Sequence, residues 1–177
     1  MSDRSMGQGF RAWHALVLML TILAGWVIGL SPSLAAESPN ASIPIVIQGK
    51  IFALKTGLSW DSVKKQLSTL FADEPSVDTT ERIQYDKVLV PDQAPVSFVF
   101  DFDGKGNLIN LTIDAYTKEQ NPTVTRLVVW LGANVGKPKV HEGQRDWHYA
   151  GWTIVHRFGG DGEDSSFSVE CSLLNAK

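Results

Sequence analysis

Val96, Phe98, Phe100 and Phe102 alternate with Ser97, Val99 and Asp101, and after Gly104-Lys105-Gly106-Asn107 the pattern resumes, with Ile109, Leu111 and Ile113 set against Asn110, Thr112 and Asp114. A period of two sends every second side chain to one face, so the segment predicts a β-hairpin with one face in a core. Arg82 to Val90 (RIQYDKVLV) predicts a strand ahead of it, stopped by Pro91-Asp92. Further upstream, Ile43 to Leu54 (IPIVIQGKIFAL) is β-branched and apolar and predicts one strand, kinked or bulged at Gly49.

Between these strands the period changes. Lys55-Thr56-Gly57 is a turn, Ser59 is placed to cap a helix, and Asp61 lies in its first turn. Leu58 and Val63 occupy the positions of a hydrophobic staple, and Trp60, Val63, Leu67, Leu70 and Phe71 mark one apolar face. Asp73-Glu74-Pro75 ends the helix. A second helix opens with Asn121 as cap and Pro122 at its first position, or with Thr123 as cap. Leu127, Val128, Leu131 and Val135 form its inner stripe, and Gly136 and Pro138 stop it. Its β-branched residues lower its intrinsic propensity, so packing must hold it. Trp147 to Phe158 then contains one strand, Gly159-Gly160-Asp161-Gly162 is a turn, and Ser165 to Leu173 returns as another.

The predicted order is β-α-β-β-β-α-β-β. It describes an α+β domain, an antiparallel sheet with two helices packed on one face. Each half is a helix feeding an antiparallel hairpin, Ser59 to Asp114 and Asn121 to Leu173, which points to a degenerate two-unit repeat.

The first 36 residues follow another pattern. Arg4 and Arg11 precede an uninterrupted apolar run, Ala15 to Leu30, followed by Ser31-Pro32-Ser33 and Leu34-Ala35-Ala36. These are the n-region, h-region and small-residue cleavage site of a secretory signal, with cleavage expected after Ala35 or Ala36. The alternative is an uncut anchor, since the run falls just short of the roughly 17–25 residues of a spanning helix. No cysteine stands at the end of the run, which removes there the thiol that a lipoprotein's diacylglyceryl chain needs. Residues 37–42 are a polar linker and 43–177 a single domain.

Composition narrows the classes of partner. Arg4, Arg11 and Asp3 leave with the leader, so the 16 basic and 19 acidic residues of the chain become 14 and 18. A mildly acidic domain without a basic stripe argues against nucleic acid, and leaves membrane contact to an uncleaved leader. Cys171 is the single cysteine and cannot form an internal disulfide. It alternates with Phe167, Val169 and Leu173, which predicts a buried small hydrophobe.

Gly57-Leu-Ser-Trp-Asp-Ser-Val63, with the helix it opens and the hairpin from Phe98 to Ile113, resembles the Gly-Met-(Ser/Thr)-x-x-x-Val entry of small bacterial envelope domains. Those are the BamE/OmlA-like lipoproteins and the domains like the β-lactamase inhibitory protein. Val124 to Glu170 is similar to the helix–Gly-Lys-Pro–Trp–strand–turn–strand tail of many bacterial exported proteins. The resemblance implies helices packed on one face of an antiparallel sheet and a role in binding. The lipid-bearing cysteine of the assembly lipoproteins and the paired cysteines of the inhibitor are missing, so neither specific role carries over.

Candidate chemistry is sparse. Asp101 to Leu108 has the look of a calcium loop, but Lys105 takes the third ligand position and Thr112 stands where a bidentate Glu belongs, so turn chemistry is expected. The acidic turn Gly159 to Asp164 reads the same way. His141, His148 and His156, with Glu142 and Asp146 nearby, match no standard metal spacing. No nucleophile elbow, metalloprotease helix, phosphate loop or cofactor motif is present in the sequence. Asp101 and Asp114, on neighbouring hairpin strands, are the candidate for an acid–base pair.

The densest recognition patch is Arg145, Trp147, Tyr149, Trp152 and Arg157, because Trp, Tyr and Arg dominate binding hot spots. The face with Trp152, Ile154, His156 and Phe158 is expected in the core with Trp147 as its lid; the alternative has Trp147, Tyr149 and Arg145 facing solvent and contacting a partner. Together these features describe an exported, non-catalytic binding or protein-interaction domain, periplasmic or secreted, with an envelope protein as expected partner. A membrane-anchored envelope assembly factor and a hydrolase with an unrecognised carboxylate site are the alternatives.

Overall fold

A computed structural model describes residues 41–115, 121–158 and 167–174. The chain divides into Met1–Ala36 and Glu37–Lys177, and all the described residues belong to the second unit. The expected leader, most of the linker and the acidic turn Gly159 to Asp164 lie outside them.

The first strand pair comes from a segment that reads as one strand. β1 (Ile43–Ile47) and β2 (Lys50–Leu54) are antiparallel, with Ile47 opposite Lys50 and Ile43 opposite Leu54. Gln48 and Gly49 join them with φ of 48° and 81°. Two successive left-handed residues make the turn whose twist matches a two-residue hairpin. Ile43, Ile45 and Ile47 and then Phe52 and Leu54 are buried on its core side.

α1 (Trp60–Leu70) starts where expected: Ser59 Oγ accepts from Ser62 N at 3.3 Å, and Val63, Leu67 and Leu70 are buried. It stops at Phe71, ahead of Asp73-Glu74-Pro75, and the Phe71 ring stacks on Tyr85 at 4.4 Å. β3 (Val77–Asp78), β4 (Arg82–Lys87), β5 (Val96–Phe102) and β6 (Leu108–Ala115) follow as an antiparallel meander. β4 ends before the expected Val90. α2 (Pro122–Asn134) is capped by Asn121, whose Oδ1 accepts from Thr123 N at 2.8 Å, and ends at Val135 and Gly136.

A second meander follows: β7 (Lys139–His141), β8 (Gln144–Tyr149), β9 (Trp152–Arg157) and β10 (Phe167–Leu173). Where one strand is predicted between Trp147 and Phe158, there are β8, half of it upstream of Trp147, and β9. Ala150 and Gly151, with φ of 52° and 78°, form the turn. The observed order is therefore β-β-α-β-β-β-β-α-β-β-β-β. β3 and β7 are short edge strands that no sequence period announces.

The eight strands from β3 to β10 form one sheet in the order β3-β4-β5-β6-β10-β9-β8-β7. That is the order two helix-plus-four-strand units give when their last strands pair antiparallel. α1, the β1–β2 hairpin and α2 cover one face: β2 contacts α1, β1 contacts α2, and Phe52 meets Phe100 at 5.2 Å. The covered face carries Phe98, Phe100, Leu111, Ile113, Val169, Cys171, Ile154 and Trp152, all within 1% of full burial. Cys171 is thus the small hydrophobe the alternation predicts, and burial pushes its thiol pKa up to about 12.

Gly151 packs against the loop before α1. A Cβ there would lie 2.8 Å from Thr56 Cγ2, and the left-handed φ adds strain for any other residue. Gly151→Ala is therefore expected to destabilise by about 1–3 kcal/mol. Chemical denaturation measures this, and an unchanged midpoint contradicts the close approach.

Candidate functional site

Strand alternation divides the expected recognition residues between the two faces of the sheet. Arg157 pairs with Gln144 and Ser168 in the ladders and lies on the uncovered face, where it donates to Glu170 at 2.9 Å. Arg145, Trp147 and Tyr149 of β8 and Trp152 of β9 share the helix-covered face. Trp152 is fully buried and Trp147 is 4% exposed, so neither faces solvent. Trp147 Nε1 donates to Gly136 O at 3.0 Å, which ties β8 to the end of α2. Tyr149 is half-buried, edge-on to Trp130 with ring centres 5.6 Å apart. The patch is therefore core at Trp147 and Trp152, and only Arg145 borders an opening.

That opening is a cleft of about 220 Å³ between the first half of α2 and the ends of β8 and β9. The helix supplies Asn121, Val124, Thr125, Val128 and Val129, and the sheet supplies Arg145, His156 and Phe158. Local structure explains the meeting. Arg145 and His156 are directly opposed in the β8–β9 ladder and so project to the same side. Residues 121, 124, 125, 128 and 129 follow helical spacing along one stripe of α2. The Arg145 guanidinium lies over the Phe158 ring at 4.6 Å, a cation–π contact that orients its fork.

Two buried polar groups at this site lack hydrogen-bond partners, and a third carries a charge without an ion-pair partner among the described residues. Asn121 is 2% exposed; its Oδ1 is committed to the cap, and its Nδ2 has no hydrogen-bond partner. His156 is 7% exposed and its Nδ1 is likewise without a partner. Among the described residues Arg145 forms no ion pair, although every other arginine of the sheet does. A buried polar group left unsatisfied costs about 1–3 kcal/mol. The first turn of α2 also carries no acidic residue to offset the positive end of its dipole.

The remaining candidates do not converge. Asp101 stands opposite Asn110 and Asp114 opposite Ser97, four ladder positions apart, which separates them by roughly 13 Å at ~3.3 Å per residue. Asp101 is instead held by Arg82 at 2.7 Å, a contact that raises the arginine's pKa. Asp103 serves the turn: its Oδ1 accepts from Lys105 N at 2.9 Å and Asn107 N at 2.8 Å. Those backbone and side-chain bonds lower its pKa. His141 lies 3.5 Å from Asp146 and His148 meets Thr153, both on the face opposite His156, and no metal-binding cluster occurs among the described residues.

On the uncovered face a polar chain crosses five strands: Arg82 to Asp101, Asp101 to Asn110, Asn110 to Ser172, Ser172 to Glu170, and Glu170 to Arg157. Its partners satisfy one another. Asp114 Oδ1 on that face and Trp152 Nε1 under the helices are the other buried polar atoms without a partner among the described residues, and each stands apart from the cleft.

Reasoning from the sequence identifies Arg145 but misses the cleft. Asn121 reads as a cap, His156 as a strand residue and Val128 as part of the helix's inner stripe, while Val124 and Val129 carry no signal of their own. The available signal is the hairpin at Ala150-Gly151, which places Arg145 opposite His156. No protein-family profile, curated protein or solved structure matches the chain.

Burial first, and then the charge of Arg145, lowers the His156 pKa below its ordinary value. In the unfolded chain the ring protonates near pH ~6.5, while in the fold it does so only at lower pH. Within that window the unfolded state binds more protons. Stability is therefore full above about pH 6.5 and falls as pH drops toward the folded pKa. His156→Gln should make the fall in unfolding midpoint between about pH 7.5 and pH 5 shallower than in wild type. An equal or steeper fall in the variant contradicts this assignment.

Proposed function

We propose that the chain is an exported, non-catalytic binding domain, and that the cleft between α2 and β8–β9 is its ligand site. One observation carries the reading: the side chains of Asn121, His156 and Arg145 border the same opening, and the Asn121 amide nitrogen and a His156 ring nitrogen have no partner in the fold. A fold under selection for stability alone would fill such a place with apolar side chains, because replacing unsatisfied groups by apolar ones of like shape is neutral or stabilising. Their retention is explained by an occupant that completes them. Val124, Val128, Val129 and Phe158 give that occupant an apolar wall.

The export half of the reading rests on the arginines, apolar run and Ala35-Ala36 site of residues 1–36. Mass spectrometry of the protein from its host is expected to find a mature chain starting at Ala36 or Glu37. A soluble chain that keeps Met1 contradicts export.

The binding half is tested by titrating the 15N-labelled full chain with a set of anionic, neutral and cationic organic fragments. At about 30 Å³ per small heavy-atom group the cleft of about 220 Å³ suits roughly seven non-hydrogen atoms. At least one fragment is expected to shift the amides of Val124, Val128, Val129, Arg145 and Phe158, and to leave those of Arg82, Asn110 and Ser172 in place. No such shift with any fragment contradicts the reading.

A further inference from the structure

The charge and shape of the cleft restrict what it can hold. Its polar end is rich in donors. The Arg145 guanidinium carries a permanent positive charge without a carboxylate partner among the described residues, and the Phe158 ring beneath it holds the fork in place. Asn121 offers only its amide N–H2, because its oxygen is occupied by Thr123 N. That assignment of oxygen and nitrogen is fixed by the cap itself. The uncompensated positive end of α2 adds to the same field. His156 stands directly opposite Arg145 and supplies a further ring nitrogen. A cation would meet Arg145 at close range, and a neutral group would leave the guanidinium's charge unanswered. An anion answers the guanidinium and the amide N–H2 through charge-assisted hydrogen bonds, which are about twice as strong as neutral ones, and accepts from His156 in the tautomer that carries its hydrogen on Nδ1.

The rest of the cleft is apolar. Val124 and Val128 line it along one stripe of α2, and Val129 stands 66% exposed at that stripe's outer side. An inorganic anion would use the polar end and leave this wall in water. With a volume of about 220 Å³, the cleft is smaller than the usual ~300–1,000 Å³ of sites for drug-sized ligands.

Resting on the reading of the cleft as the ligand site, we propose that its ligand is a small organic acid. Its anionic head lies between Arg145, Asn121 and His156, and its short apolar body lies along Val124 and Val128.

Three probes matched in length separate this class from its rivals: hexanoate, hexanamide and hexylamine. Each is titrated into the 15N-labelled full chain at pH 7.5, with dissociation constants taken from the amides of Val124, Val128 and Arg145. Hexanoate is expected to bind at least tenfold more tightly than hexanamide, and hexylamine not to bind in the cleft. In Arg145→Gln the preference for hexanoate over hexanamide is expected to vanish. Because Arg145 is half-buried, Val129→Trp provides a second variant at an exposed position. It should weaken hexanoate and hexanamide together, with the remaining spectrum unchanged.

Equal binding of hexanamide and hexanoate in the cleft overturns the organic-acid assignment and leaves the cleft as a ligand site. Tighter binding of hexylamine overturns it as well. If none of the three moves a cleft amide, the assignment is overturned, and the broader fragment set then decides separately whether the cleft binds anything.

Discussion

Ile113 and Leu111 of β6 face Val169 and Cys171 of β10 across one antiparallel ladder, and the rest of the domain depends on that seam. Each half brings a helix and a four-stranded meander with one apolar face. Alone, a four-stranded sheet under a single helix buries little surface, and small domains are marginal for that reason. Pairing of the last strands makes one eight-stranded face, wide enough to take α1, the β1–β2 hairpin and α2 side by side. The hairpin matters to this arrangement because Phe52 fills the middle of the face against Phe100. α2 packs on β1 and β10 and borders the cleft together with residues of β8 and β9.

The two sides of the sheet solve the polar problem differently. On the open face a hydrogen-bonded chain of polar and charged side chains crosses the strands, and the Arg82–Asp101 and Arg157–Glu170 pairs frame it. Exposed pairs of this kind contribute little stability, typically below about 1 kcal/mol each, and their main effect is to keep a flat polar face soluble. Under the helices, by contrast, almost every buried position is apolar. Asn121, Thr123 and His156 are the buried polar exceptions, and two of the three line the cleft. That concentration separates the cleft from the general surface.

Most of the fold is legible in the residues, and the two hairpins read as single strands share one physical cause. The α+β class, the Phe98–Ile113 hairpin, the caps at Ser59 and Asn121 and the buried Cys171 follow from period, capping chemistry and alternation. The strands that escape notice lie on either side of two-residue turns. A two-residue turn interrupts no apolar run and moves the buried set from odd to even numbers. Ile43, Ile45 and Ile47 give way to Phe52 and Leu54, and Trp147 gives way to Trp152, Ile154 and His156. Read for composition alone, each segment looks like one strand; read for phase, each is a hairpin. β3 and β7 are too short to show a period at all. The recognition patch fails in part for the same reason, since Arg157 belongs to the opposite face and the tryptophans to the core. The cleft depends on a helix stripe meeting a strand pair from another part of the chain, and no local spacing encodes that.

Amide hydrogen exchange followed residue by residue tests the central dependence most directly. If the β6–β10 seam makes the two meanders one cooperative unit, the amides of β5, β6, β9 and β10 exchange only through global unfolding and report one common free energy. The edge strands β3 and β7 then exchange faster, and destabilising either half lowers protection in both. Separate free energies for the core of residues 43–115 and that of 121–174 would contradict the account, because each half would then hold its own core without the seam.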